Sequence, residues 1–325
     1  MTTVDAYSHV GLPRFQSICD YEKVMLSAGI DRAVLSAFGS SPDLGGLHRA
    51  LLAKPDTYRL VGIPAGRGRV QVEAAVRAQF AAGFSALRLA DDDVAESPWL
   101  FDVIGAHGTI AFVCGGVVST EEGARILLQH LERHSDAVVV GGHFASPRDP
   151  SVLDTGAVAE LFRHPRFSVV FSRQGAFGSQ LVETWAAALV ELVGWDRLMW
   201  GAESPILYWR DETMESAMAW IDRLSPTEAE RAAFFGGNAE RIFFADDVVT
   251  AELDMPFDPW ESAPEFAAQL WLNSLRVDQA LAGRLVHGWL SDGGPQSGPL
   301  GTYVQSIFDR VLPPVNVLND EGETL

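Results

Sequence analysis

The feature that most constrains this chain is an alternation. Short β-branched or apolar runs recur near every 30 residues, and longer amphipathic segments separate them. The runs are 4–10, 32–38, 59–65, 84–90, 109–114, 137–144, 167–172 and 197–203. Between them, 70–82 carries Val72, Val76, Gln79 and Phe80 at helical spacing, and 120–133 carries Ile126, Leu127 and Leu131. Ser119 with Glu122 reads as a capping box for the second of these helices. Strand alternating with helix is the pattern of parallel βα units, because a parallel neighbour needs a crossover of a dozen or more residues. Eight such units predict an α/β fold, a closed (β/α)8 TIM barrel over residues 1–244. A doubly wound open sheet is the competitor, but no GxGxxG follows the first strand and no GxxxxGK[ST] occurs.

After residue 244 the pattern changes. Residues 246–264 are acidic and hold Pro256, Pro259 and Pro264, which suggests an extended connection. Residues 266–290 have helical periodicity through Phe266, Leu270, Leu281, Leu285 and Trp289, and 302–312 reads as a shorter helix stopped by Pro313. We expect 245–325 to be a helical extension whose apolar stripe packs on the barrel or on a partner subunit, favouring a homodimer.

Charge narrows the function classes. The net charge of −19 argues against nucleic acid and against anionic membranes, since both need cations on the protein. No apolar stretch is long enough to span a membrane, and the first residues lack a signal-peptide pattern. With only Cys19 and Cys114, the chain reads as cytoplasmic. The partner expected is a small-molecule substrate.

In such barrels chemistry sits at the C-terminal ends of the strands. Tyr7 and His9 share a face of the first strand, with Asp5 one step deeper on the same face by period-two alternation. Arg88, Cys114, His143, Arg173 and Glu203 end or follow later strands. His143 suits general acid/base work, because imidazole titrates near neutrality. Arg88 or Arg173 can hold a carboxylate or a developing oxyanion. Tyr7 can donate its phenol proton, Glu203 can orient His9 or act as a second acid/base, and Cys114 lines the substrate site.

Six segments taken in order resemble the amidohydrolase-2 branch of the amidohydrolase superfamily. They are VDAYSHV at 4–10, GFSALRL at 83–89, AFVCGG at 111–116, VVVGGHFAS at 138–146, WDRLMWGAESPI at 195–206 and FFGGNAERIF at 234–243. The resemblance implies a (β/α)8 barrel enzyme hydrolysing a lactone, ester or amide, or decarboxylating a small carboxylated or cyclic carbonyl compound. It also implies one divalent metal, held by both His of H-x-H, a His after strand five and an Asp after strand eight. Those places here hold Tyr7, His9, Cys114 and Glu203. Three changes in four make a degenerate metal site, with no resident cofactor, the expectation. The alternative is a metal hydrolase with an altered set, zinc on His9, Cys114 and Glu203. A catalytically inactive binding or assembly protein is the other reading.

Overall fold

A computed structural model describes residues 2–11, 15–39, 42–210, 212–259 and Leu285. Eight strands pair in chain order, all parallel. They are β1 Val4–Ser8, β2 Arg32–Ser36, β3 Tyr58–Gly62, β4 Phe84–Leu89, β5 Ile110–Val113, β6 Val138–Gly141, β7 Phe167–Phe171 and β8 Leu198–Trp200. Seven of the eight expected runs contain their strand, the third strand begins one residue before its run at Tyr58, and all eight strands end short of the run's C-terminal end.

The helices of the outer layer begin with α1 Ile18–Ala28, α2 Leu44–Ala53 and α3 Gly68–Ala81. Next come α4 Asp91–Glu96, α5 Trp99–Ala106, α6 Glu121–Arg133, α7 Gly156–Arg163 and α8 Ser179–Val193. Three short ones close the series, α9 Met214–Ala219, α10 Glu228–Ala232 and α11 Asn238–Phe243. The α6 cap differs from the expected one. Thr120 is the cap and accepts from the Gly123 amide, while Ser119 belongs to the preceding turn and donates to the Gly116 and Ser146 carbonyls. A capping hydroxyl serves the amide three residues on, so a Ser-Thr pair leaves the register open to the turn before it.

Alternate strand residues divide between two cores. Val34, Val61, Ala86, Phe112, Val140, Val170 and Met199 fill the barrel interior. Leu35, Leu60, Leu87, Val139, Val169 and Leu198 face the helices. Both faces are buried, which is why the strands read as nearly continuous apolar runs. Phe243 of α11 closes the N-terminal end of the barrel, its ring 6.3 Å from that of Phe112. Arg59 fixes that end by donating to the carbonyls of Phe243 and Asp246.

Period-two alternation fails at one place that matters. The register of β1 on β2 slips between Asp5 and Ser8, where β1 carries one residue more than its partner. The bulge turns both Ala6 and Tyr7 to the interior and leaves Asp5 and Ser8 facing outward. Asp5 accepts from Tyr21 of α1, from Ser8 and from the Ala202 amide, so it does not share the face of Tyr7 and His9.

The seam between β8 and β1 is made above the strands proper. The Glu203 amide donates to the Tyr7 carbonyl and the His9 amide to that of Ser204, each at 2.7 Å. Gly201 permits this approach, since a Cβ there would stand 3.0 Å from Tyr7 Cβ and 2.8 Å from Val170.

The chain divides into two compact units, 1–262 and 263–325. Residues 246–259 belong with the barrel, against which Val248, Leu253, Met255 and Phe257 pack. The expected helices at 266–290 and 302–312 lie outside the described residues, except that Leu285 is helical and buried. Cys19 and Cys114 are free thiols, and no helix among the described residues is long and apolar enough to cross a membrane.

Candidate active site

The C-terminal rim gathers Tyr7, His9, Arg88, Cys114, His143, Arg173 and Glu203 in two groups that meet at Tyr7. Three of these side chains leave their strands on a left-handed backbone: His143 at φ 54°, Arg173 at 65° and Glu203 at 54°. Phe144, Ala145 and Ser146 continue the left-handed run after β6. Non-glycine residues hold this conformation only where the surroundings over-determine it, and such residues cluster at functional sites.

The first group surrounds the phenol. Tyr7 is fully buried, stacked on Phe112 with ring centroids 5.1 Å apart. Its edge contacts are the rings of His9 at 4.9 Å and His143 at 5.2 Å. Its oxygen accepts from Arg88 Nε at 3.2 Å and from Cys114 Sγ at 3.5 Å. Burial above all holds the phenol pKa well above its ordinary value, so Tyr7 keeps its proton. Burial likewise raises the Cys114 thiol, which argues against a thiolate nucleophile. The Arg88 guanidinium lies 4.8 Å over the Phe38 ring and makes no ion pair among the described residues.

His9 is held differently from expectation. Its Nδ1 is 2.9 Å from the Ser36 carbonyl, and a carbonyl only accepts, so Nδ1 carries the hydrogen. Nε2 therefore presents a lone pair, and it is buried with no hydrogen-bond partner. Burial pushes this imidazole down to about 3, so it is neutral at neutral pH. Phe15 stacks on it at 4.7 Å and Phe38 meets it edge-on at 5.7 Å, so the two rings roof this side of the mouth.

The second group surrounds a carboxylate. Glu203 is fully buried. Arg173 Nε lies 3.0 and 3.1 Å from its two oxygens, and Arg173 Nη2 also donates to Oε1. Arg210 Nη1 donates to Oε2 at 2.8 Å, while Arg210 Nε donates to Glu212 at 2.7 Å. Thus Arg173 is engaged as the partner of Glu203, and Glu203 orients no atom of His9. The imidazole nearest to it is His143, whose Nε2 is 3.6 Å away, an ion-pair distance too long for a hydrogen bond. His143 Nδ1 pairs with Ser172 Oγ at 2.9 Å. Burial, then Arg173, Arg88 and Arg210, depress the His143 pKa well below that of a free imidazole.

The sequence reading missed Ser172, Arg210, Glu212 and the two roofing phenylalanines. Ser172 stands beside Arg173 at a strand end, where the rule that flagged its neighbour would have found it. Arg210 and Glu212 lie in the loop after β8, and no local pattern marks them. A cavity of about 530 Å³ opens beside this loop, lined by Gln174, Phe177, Glu212, Trp220 and Arg223.

The donor set does not fit a divalent metal. Both Glu203 oxygens are taken by guanidinium groups, and a cation there would sit against Arg173 and Arg210. The Tyr7 oxygen already accepts two hydrogen bonds and keeps its proton. His9, Cys114 and Glu203 do not converge as a ligand set, and among the described residues no three His, Cys, Asp or Glu side chains do.

The sequence matches the family described as Amidohydrolase over residues 33–245. No curated protein matches it. Among solved structures, a Pseudomonas putida protein assigned as a 2-pyrone-4,6-dicarboxylic acid hydrolase is 21% identical with a TM-score of 0.60, covering 75% of this chain and 97% of its own. The 5-carboxyvanillate decarboxylase of Sphingomonas paucimobilis is 17% identical with a TM-score of 0.55, covering 75% and 99%. An amidohydrolase of Burkholderia multivorans with bound zinc is 15% identical with a TM-score of 0.57, covering 74% and 99%. At these identities the likeness is one of fold.

Proposed function

The chain belongs to the amidohydrolase family of enzymes, and we propose that it acts on a small carboxylated carbonyl compound and, from the occupied oxygens of Glu203 and Tyr7, that it does so without a resident metal. The reaction is hydrolysis of a lactone, ester or amide, or decarboxylation. One observation carries this reading: Arg88 is a cation without an ion pair among the described residues, pressed against the Tyr7 phenol at the mouth of a barrel whose chain carries −19. A partly buried cation of this kind is stabilised by an anion that arrives with the substrate. The names of the Pseudomonas and Sphingomonas proteins, a pyrone dicarboxylate hydrolase and a carboxyvanillate decarboxylase, agree with a carboxylated ligand.

Arg88 holds the substrate carboxylate. Tyr7 accepts at its oxygen from Arg88 and Cys114, so its own hydrogen is directed to an oxyanion developing on the substrate. His143, neutral in the resting site, is the acid/base. In hydrolysis it takes a proton from the attacking water and returns it to the leaving oxygen or nitrogen. In decarboxylation His143 first takes up a proton from solvent and delivers it to the carbon that bears the carboxylate, which keeps the electron pair of the bond that breaks as carbon dioxide leaves. An anionic substrate offsets the field of Arg88 and Arg173 and so raises the basicity of His143 when it is needed. Glu203, fixed by Arg173 and Arg210, steadies the imidazolium that forms.

The test is a panel of carboxylated lactones, aryl esters and aryl carboxylates, with two variants on whichever compound turns over. His143→Asn should lower kcat by about two orders of magnitude with the melting temperature nearly unchanged. Arg88→Met should raise KM for the carboxylated substrate and leave that for its methyl ester unchanged. Full turnover by His143→Asn, or equal effects of Arg88→Met on acid and ester, would refute the assignment.

A further inference from the structure

We infer that Ser172 is the positioning residue of His143: its hydroxyl holds Nδ1 in every protonation state of the ring and so leaves Nε2 as the nitrogen that exchanges a proton with the substrate. The inference rests on the acid/base reading of His143 above and names the side chain through which that residue is made to work. It begins from a contrast between the two imidazoles of the mouth. Each has its Nδ1 2.9 Å from an oxygen. For His9 the oxygen is the Ser36 carbonyl, which only accepts, so one tautomer is locked. For His143 it is the Ser172 hydroxyl, which can accept from an N–H or donate to a lone pair. Acid/base work takes an imidazole through neutral and cationic forms. A carbonyl serves Nδ1 only while that nitrogen carries hydrogen, whereas a hydroxyl turns its own hydrogen to suit either state.

Ser172 is fully buried just after β7, and its hydroxyl makes no other hydrogen bond among the described residues. The chain then turns on the left-handed backbone of Arg173, φ 65°, whose side chain goes to Glu203. Two consecutive residues therefore grip the two ends of one contact. Ser172 holds His143 Nδ1, and Arg173 holds the carboxylate whose Oε1 stands 3.6 Å from His143 Nε2. The Tyr7 ring meets the imidazole edge-on, at an interplanar angle of 83°, and limits a third side. His143, Ser172 and Glu203 follow β6, β7 and β8, which are neighbours in the barrel, so the set is assembled across adjacent strands. At 3.6 Å the carboxylate is too far to hydrogen-bond Nε2, which leaves that nitrogen for a water or a substrate atom. Without the hydroxyl, Nδ1 loses its hydrogen bond, and the ring is free to turn and carry Nε2 out of line with the reacting atom.

The experiment is steady-state kinetics of the full-length protein on whichever compound of the panel turns over. The variants are Ser172→Ala, Ser172→Cys and Ser172→Ala combined with His143→Asn. Ser172→Ala removes the hydroxyl without adding volume. We expect its kcat to fall about tenfold, equivalent to about 1.4 kcal/mol, with KM within about twofold of wild type. Ser172→Cys, whose thiol is a weaker donor and acceptor, should lie between the two. In the His143→Asn background the change to Ala should cost less than about twofold, because a residue that acts through another then has nothing left to position. An undiminished kcat in Ser172→Ala would overturn the inference. So would a rise in KM in place of the fall in kcat, since Ser172 would then bind substrate. A tenfold loss that persists in the His143→Asn background would overturn it too, since Ser172 would then act independently of the imidazole. Should Ser172→Ala not fold, Ser172→Cys carries the same comparisons. Turnover of no compound in the panel, or full turnover by His143→Asn, would instead remove the acid/base reading and this inference with it.

Discussion

Replacing Glu203 by Gln isolates the charge at the centre of the rim without changing its volume. The carboxylate is wholly buried and joins Arg173 to Arg210, so the amide leaves two guanidinium groups facing each other across a neutral residue. Removing one partner of a buried ion pair costs about 3–5 kcal/mol. Two features of the site reduce that figure. The Arg173 side chain is 35% exposed and can turn toward water, and Arg210 retains Glu212 at 2.7 Å. The low end, about 3 kcal/mol, is therefore expected. For a barrel of this size each kcal/mol lowers Tm by about 2–4 °C, so Glu203→Gln should melt about 6–12 °C below the wild type. Differential scanning calorimetry measures the shift directly. Repeating it at high salt separates causes, because screening weakens the repulsion between Arg173 and Arg210 and should restore part of the loss in the variant alone. A Tm within about 2 °C of wild type would show that the pairs contribute nothing net. A loss unaffected by salt would point to packing and not to charge.

Elemental analysis of protein purified without chelator should find far less than one equivalent of zinc, iron or manganese. A full equivalent, lost together with activity on chelation, would restore the metal-hydrolase reading. Stability should fall as pH drops below neutrality. His9, pushed down to about 3, and His143, also lowered, bind protons less readily folded than unfolded, so their effect is absent above the unfolded value near 6.5 and grows as pH falls through the window below it. Each contributes up to about 1.4 kcal/mol per pH unit there, and Asp5, raised by burial, opposes them only nearer the carboxylate range. Urea midpoints at pH 7 and pH 5 measure the drop, which should be smaller in His143→Asn; equal drops would refute the assignment. We propose that the protein is a homodimer through residues 263–325. Light scattering on the full chain and on one ending at Ser262 should give a dimer and a monomer, and a monomeric full chain would refute it.

The barrel was legible because burial on both faces of parallel strands writes apolar runs, as in AVVVGG at 137–142 and FSVVFS at 167–172, and because eight of them recur without a nucleotide-binding glycine motif. The rim residues were legible for a related reason. A polar side chain ending such a run has nowhere to go but the mouth, and Tyr7, His9, Arg88, Cys114, His143, Arg173 and Glu203 all stand there. Their local periodicity could not say how they pair. One inserted residue in β1 moves Asp5 to the outer layer and Tyr7 to the interior, and nothing in VDAYSHV distinguishes that bulge from regular alternation. Arg210 reaches Glu203 only because the loop after β8 turns back over the rim. The tautomer of His9 is set by a carbonyl 27 positions along the chain. Sequence by itself determined which residues end the strands at the mouth, since the end of an apolar run is a local property. Tertiary structure alone decided that Glu203 is neutralised by two arginines, that Arg88 makes no ion pair among the described residues and that His9 keeps a lone pair. Charge compensation and hydrogen-bond pairing are properties of groups brought together from different loops, and no local pattern encodes them.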